Sequence, residues 1–401
     1  MRHLITLFLI LFASGSLAYS QKDGEMEEFD EVDPYTKGDR QLEKKLGYAQ
    51  FGFVPWRNAE DSKSVQENMG GIPMLWVETE HFRIGSSLGT YKLPNDREER
   101  GRFKDDITRL KKKLGKLKAP KKKIDPYLLL HIYAQRAEDQ YDAFIRDFSV
   151  EPEDYLKTGP NLGHKNKFLL ILCQRKSEFG RYVRTYHQSD INYAFRTGWY
   201  QDGMVALANV ESIREHLVDE PEAPVDTMFH CLLAHVLANN FVDGYDQLLF
   251  NAPAWLVFGY GHFTTKRIDE RYTYFDGRKV IYKTDSDEWS WQPRVRNLVK
   301  NDFFTSAKDL FAQKAYDELH ARDHMTAWSR TEFLLNVAEG EPKTFLKLAS
   351  APLKVSKQTG VTKETEFLVR QERALAAAYK MTPEEFDKAW SKWVLRTYKK
   401  K

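Results

Sequence analysis

Cys231 and His235 stand four residues apart in the apolar run MFHCLLAHVLANNFVDG, residues 228–244. On a helix that spacing puts two side chains on one face, and thiolate and imidazole are both zinc donors. His262 follows in a second apolar run, APAWLVFGYGHF, residues 252–263. Cys231, His235 and His262 therefore make a conceivable zinc set, although Leu232 beside them cannot serve as a general base. The bland reading competes with it, because a lone histidine on an apolar helix is usually a hydrogen-bonded core residue. His230 lies five positions before His235, about 140° around a helix, and does not pair with it. His320 and His324, with Asp323 between them, occur in the charged stretch DELHARDHM, residues 317–325, and read as a solvated helix face. No nucleophile elbow, phosphate-binding loop or dinucleotide fingerprint occurs where a strand, turn and helix would need it.

The elements that must hold these residues follow from pattern. The chain has 401 residues, 42% of them hydrophobic and 13% aromatic, enough for one large core with subdomains. A net charge of +3 does not call for nucleic acid or an anionic surface. Residues 1–20 combine Arg2 and His3, an apolar run from Leu4 to Ala13 and small residues at Ser16, Ala18 and Ser20. That is the layout of a cleavable signal peptide, cut after Ala18 or Ser20, and it predicts a secreted or periplasmic protein. No later run is long enough to cross a bilayer. Residues 21–73 read as an acidic, flexible N-terminus and linker, residues 74–270 as an α/β part, and residues 271–401 as mainly helical.

Within the α/β part, Met74–Ile84 ends in the alternation of a half-buried strand. Asp96 to Leu117 reads as an amphipathic helix capped by Asn95 or Asp96. Its lysine-rich end, residues 111–123, reads as a solvated helix terminus. Two strand-helix units follow, with strands at Tyr127–Arg136 and Lys167–Arg175. Gly198–Ala208 reads as a short hairpin or edge strand, and Tyr272–Tyr282 as a hairpin turning at Asp276-Gly277. Thr382-Pro-Glu-Glu opens the last helix with a capping box. Cys173 and Cys231, the only cysteines, could pair in an oxidising compartment, but both read as small buried hydrophobes.

The two apolar runs and their surroundings resemble the gluzincin metallopeptidases (peptidase MA-like, thermolysin-like zincins), over roughly residues 74–396. The resemblance implies an α+β, zincin-like fold: a small mixed sheet with helices, two central active-site-type helices, then a mainly helical subdomain. It sets the H-E-x-x-H frame on Cys231-Leu232-Leu233-Ala234-His235, and the later P-x-W-L-x-E-G helix on Pro253–Gly259, with Phe258 at the third-ligand position. Leu232 then stands at the general-base position, and only His235 keeps its letter. The expected function is that of an exported pseudoenzyme, a protein- or peptide-binding or scaffold module with no catalytic residues and no resident zinc. Its binding cleft would be lined by His235, Trp255, Phe258 and Tyr260, with an extended peptide along Gly198–Ala208. Two alternatives stay open: a noncanonical zinc hydrolase using Cys231, His235 and His262, and a structural envelope protein.

Overall fold

The structure, a computed structural model, describes residues 29–400 except 31, 58–59, 192, 200–202, 218–222, 248–250, 276–278, 283–289, 314–317 and 353–363. The proposed signal peptide and the Asp276-Gly277 turn lie outside the described residues. The chain begins with α1 (Arg40–Leu46), β1 (Gln50–Phe51), β2 (Pro55–Arg57), β3 (Glu60–Asp61) and α2 (Ser62–Asn68). Next come β4 (Leu75–Glu78), β5 (Phe82–Ser86), β6 (Tyr91–Lys92), α3 (Arg97–Leu114), β7 (Lys123–Ile124) and α4 (Pro126–Phe148). The middle comprises β8 (Phe168–Cys173), α5 (Lys176–His187), β9 (Ala194–Trp199), β10 (Gly203–Asn209), α6 (Val210–His216), α7 (Val225–Gly244) and α8 (Ala254–Ile268). After the hairpin β11 (Tyr272–Phe275) and β12 (Lys279–Tyr282), the remaining described elements are all helices. These are α9 (Trp291–Lys300), α10 (Ala307–Ala312), α11 (Ala321–Asn336), α12 (Pro342–Ala349), α13 (Glu364–Tyr379) and α14 (Pro383–Thr397). The class is α+β with a mixed sheet and a helical C-terminal third. No helix among the described residues is long and apolar enough to cross a membrane.

The main sheet has the order β1-β4-β5-β8-β10-β9. Its centre is parallel, with Phe82 opposite Phe168 and Val205 opposite Leu169, and its flanks are antiparallel. Period-two alternation sorts β8 between two cores. Phe168, Leu170 and Leu172 join the large core, whereas Leu169, Ile171 and Cys173 join a smaller one with Trp56, Trp76 and α5. Both faces are covered, which is why β8 reads as an unbroken apolar run. Gly85 makes room on the smaller side: a Cβ there would stand 2.4 Å from the Trp76 ring.

The same alternation separates the cysteines. Cys231 lies on α7 in the large core, across the sheet from Cys173, and both thiols are free. Burial raises both thiols well above their ordinary value. A thiol reagent is therefore expected to find no reactive group in the native protein and two after denaturation, without reductant. Incorporation of fewer than two would show that they had paired.

Three expectations need correcting. Tyr127–Arg136 is not a strand but the first half of α4, started by Asp125, whose carboxylate accepts from Leu128 N (3.0 Å), with Pro126 in the first turn. Nearly every residue from Leu128 to Ala137 is buried, so the segment carries no amphipathic stripe. Met74–Ile84 is two strands joined at Thr79–His81. Residues 40–68 form helices and strands rather than a flexible linker, with β1 on the sheet edge and Trp56, Val65 and Met69 buried. The hairpin expected over Gly198–Ala208 is present in its pairing: β9 and β10 are antiparallel, Trp199 lies opposite Gly203, and β9 is the edge. Other expectations hold. Asp96 caps α3 through Glu99 N (2.7 Å), β8 feeds α5, and Thr382 and Glu385 close the capping box of α14.

Candidate functional site

Helix α7 is buried on nearly all sides, so its first turn must be anchored by polar groups rather than by water. Asp226 receives hydrogen bonds from Tyr133 Oη (2.6 Å) and from Arg136 Nη1, and Thr227 N donates to Glu99 (3.0 Å). Arg136 also grips Asp106 on α3 (2.9 Å). Burial, and then Asp226 beside it, raise Glu99 to about 7. This ionic knot of three helices fixes where α7 enters the core.

Helix α8 runs between α7 and α11, and two glycines set the distances. A Cβ on Gly259 would lie 2.4 Å from Thr331 Oγ1 and 2.7 Å from the Ala327 carbonyl of α11. A Cβ on Gly261 would lie 2.5 Å from Asn239 Oδ1 and 2.8 Å from the His235 ring of α7. The close approach on both sides assembles three histidines from three helices. The ring centroids of His235 and His262 are 4.9 Å apart, and those of His262 and His324 are 5.2 Å apart. His262 Nε2 and His324 Nδ1 share a hydrogen bond of 3.0 Å. His324 is buried, not part of a solvated face, while His320 of the same pair is exposed at the start of α11. The sequence held no signal for His324, because its neighbours Arg322 and Asp323 look like surface residues.

His235 itself is fully buried and edge-on to Tyr274 at 5.1 Å, with the Gly261 backbone against its ring. Burial first, then the neighbouring His324 and Arg196, depress it to about 3; the Gly261 backbone is the only counterweight. Burial also pushes His262 well below its ordinary value, aided by His235 and His324. The neutral form of the rings is the favoured one.

The donors Cys231, His235 and His262 do not converge on one point. Cys231 Sγ faces the Thr265 carbonyl at 4.0 Å, and His262 turns Nε2 to His324. Among the described residues no group of three or more His, Cys, Asp or Glu is arranged to hold a metal ion. That zinc set does not fit this arrangement, and no metal chemistry is derived from it.

The remaining site residues are core residues. Leu232 is buried in the large core, and Phe258 packs edge-on to His324 at 5.8 Å. Trp255 donates through Nε1 to Gln371 (2.8 Å) and stacks on Phe311. Tyr260 donates to Asp147 (3.1 Å). His235, Trp255, Phe258 and Tyr260 are all at most 4% exposed, so these side chains form helix-packing contacts and do not line an open cleft.

An open cavity of about 200 Å³ does lie nearby, between α8, α9 and α11, with Phe263, Lys266, Trp291, Trp328 and Glu332 in its wall. Its residues are scattered from 263 to 336, so no local sequence pattern marks it. Comparison with protein-family models, with curated proteins and with solved structures found no match to the chain.

Proposed function

We propose that this chain is an exported, catalytically inactive metallopeptidase-like protein of gluzincin type, acting as a protein- or peptide-binding or scaffold module. The observation that supports the reading best is the filling of the would-be catalytic positions. Leu232 stands where the resemblance requires the general base, and Phe258 where it requires the third ligand, each packed into apolar surroundings. Activating a water needs a group that takes its proton and an open ligand position on the metal, and leucine and phenylalanine supply neither. Peptide docking then moves from the packed helices to the free edge of β9, whose residues 195–198 are only half-buried. An extended chain added there would continue the six-stranded sheet by backbone hydrogen bonds.

The protein recovered from an exporting host is expected to begin at Tyr19 or Gln21. It is expected to carry no stoichiometric zinc by elemental analysis and to leave casein intact with or without chelator. Zinc that is lost on Cys231→Ala or His235→Ala, together with chelator-sensitive cleavage, would favour the noncanonical hydrolase and overturn the proposal. The docking edge is tested with Arg196→Pro and Thr197→Pro, made separately because successive N–H groups of an antiparallel strand alternate between the partner and the open side. Peptides selected against the wild-type protein should lose at least about tenfold in affinity with one of the two, as loss of a backbone hydrogen bond at a proline-blocked edge implies. Failure to select any peptide would favour the structural envelope reading.

A further inference from the structure

The cavity between α8, α9 and α11 carries chemistry that the peptide-binding reading does not use. Trp328 and Phe263 supply apolar wall, and the Trp291 ring meets Trp328 edge-on at 5.8 Å. Lys266 reaches in from α8, with Nζ 4.4 Å from the centre of the Trp291 ring. Its hydrogen bonds go to neutral acceptors, the Glu270 carbonyl (2.7 Å) and Thr273 Oγ1 (2.9 Å). The cation therefore has a ring face and two dipoles around it in place of a paired carboxylate. Burial lowers the amine to about 7, against the pull of Cys231, Asp269 and Glu270.

A second observation points to a ligand in the same place. Trp291 is 3% exposed, and its Nε1–H has no hydrogen-bond partner among the described residues. A buried indole N–H normally finds an acceptor. An oxygen-bearing guest in this cavity would satisfy it. A cavity of about 150 Å³ suffices for a benzene ring, so the space here suits a ring or branched chain with one small polar group.

We propose that Lys266 is the nucleophile of a covalent binding site that captures a small aromatic or branched aldehyde as an imine in this cavity. The lone pair of Nζ attacks the carbonyl carbon while the carbonyl oxygen accepts from Trp291 Nε1. The oxygen takes up a proton to give a carbinolamine. It then leaves as water with the second amine proton, and C=N forms. Carbon, nitrogen and oxygen keep their electron count, so no oxidant or reductant enters. Glu332, raised by burial and accepting from the Tyr398 hydroxyl at 2.7 Å, lines the same cavity.

The test uses the full mature protein with benzaldehyde and cyanoborohydride at pH 7, which reduces an imine to a stable secondary amine. The site is read by intact mass and peptide mapping. The expected result is one benzyl group per chain, on Lys266, formed at least about tenfold faster than on any other lysine, because an ordinary lysine is almost wholly protonated at that pH. Lys266→Arg should remove the fast phase, and Trp291→Phe should slow it several-fold with the circular dichroism spectrum unchanged. Benzyl alcohol, of the same shape but unable to condense, should protect Lys266. Labelling spread over surface lysines with no fast phase, or a fast phase on another residue, would overturn the proposal. Should Lys266→Arg fail to fold, mapping and protection on the wild-type chain decide it alone.

Discussion

On acidification the protein is expected to unfold cooperatively between about pH 5 and pH 3, after a loss of stability that begins above the range of ordinary carboxylates. The cause is a set of histidines held neutral. His235 sits at about 3 in the fold against 6.5 in the free chain, and burial moves His230 and His262 in the same direction. The unfolded chain therefore binds these protons first. Their contribution is complete above pH 6.5 and is lost progressively as pH falls towards the folded values. Each such group removes about 1.4 kcal/mol per pH unit over that window, so three remove about 4 kcal/mol per unit, against a total stability of about 5–15 kcal/mol. Glu99 works the other way. Raised to about 7 from 4.5, it is already protonated in the fold while its unfolded counterpart is still ionised, so it offsets part of the loss between pH 7 and 4.5. Asp33, Glu138 and Asp269, all lowered, add to the loss only at still lower pH. Urea titrations from pH 8 to 4, followed by tryptophan fluorescence, measure the slope. His235→Leu removes a fully buried imidazole along with its titration. It should be no less stable than wild type at pH 7.5 and should lose about 1.4 kcal/mol less per pH unit on acidification. An unchanged slope would mean that His235 is protonated within the fold.

The second large effect is expected at Arg136. Its guanidinium is buried between Asp106 and Asp226, with Tyr133 donating to the same Asp226 and Glu99 close enough to be raised by it. Arg136→Ala leaves acidic groups facing one another inside the protein, a loss of about 3–5 kcal/mol for a buried pair broken on one side. Arg136→Lys keeps the charge but not the fork that reaches both carboxylates, so it should recover only part of that loss. Arg136→Met combined with Asp226→Asn and Asp106→Asn should come nearer to wild type than Arg136→Ala alone, because the repulsion is removed with the cation. Urea midpoints at constant slope give these values. Because Asp226 and Thr227 open α7, amide exchange in the first turns of that helix should rise more than exchange in α14, which is remote from the knot.

How far the sequence was legible depended on whether an element's pattern was local. The caps of α3 and α14 are short-range, a side chain and an amide three residues apart, and both were readable from Asp96 and from Thr382 with Glu385. The β8–α5 unit was readable because an apolar run followed by an amphipathic one has one simple reading. Helix α4 was not, because a segment buried on every side loses the periodicity that separates helix from strand. The Asp125-Pro126 start signal is present, but the apolar run behind it shows no helical stripe. The site was less legible still. The positions Cys231, Leu232, His235 and Phe258 could be numbered, but not that they are packed shut. That depends on Gly259 and Gly261 letting α11 and α7 close on α8, with Gly259 meeting Thr331 far along the chain. The same closure carries His324 to His262 from a stretch whose charges argue for solvent, and Lys266 became notable only once Trp291 lay across it.

The parallel centre of the sheet bears on how the chain reaches this state. Phe82 must find Phe168 and Leu169 must find Val205 before either ladder yields any hydrogen bonds, and α3 and α4 lie within the first of those crossovers. Ordering so much intervening chain ahead of the reward makes a slow search, with unpaired strand edges exposed meanwhile. Helices α3 and α4 form from local contacts and can be ready early. A late-closing centre of this kind leaves a newly made chain unfolded for longer and makes aggregation the competing fate.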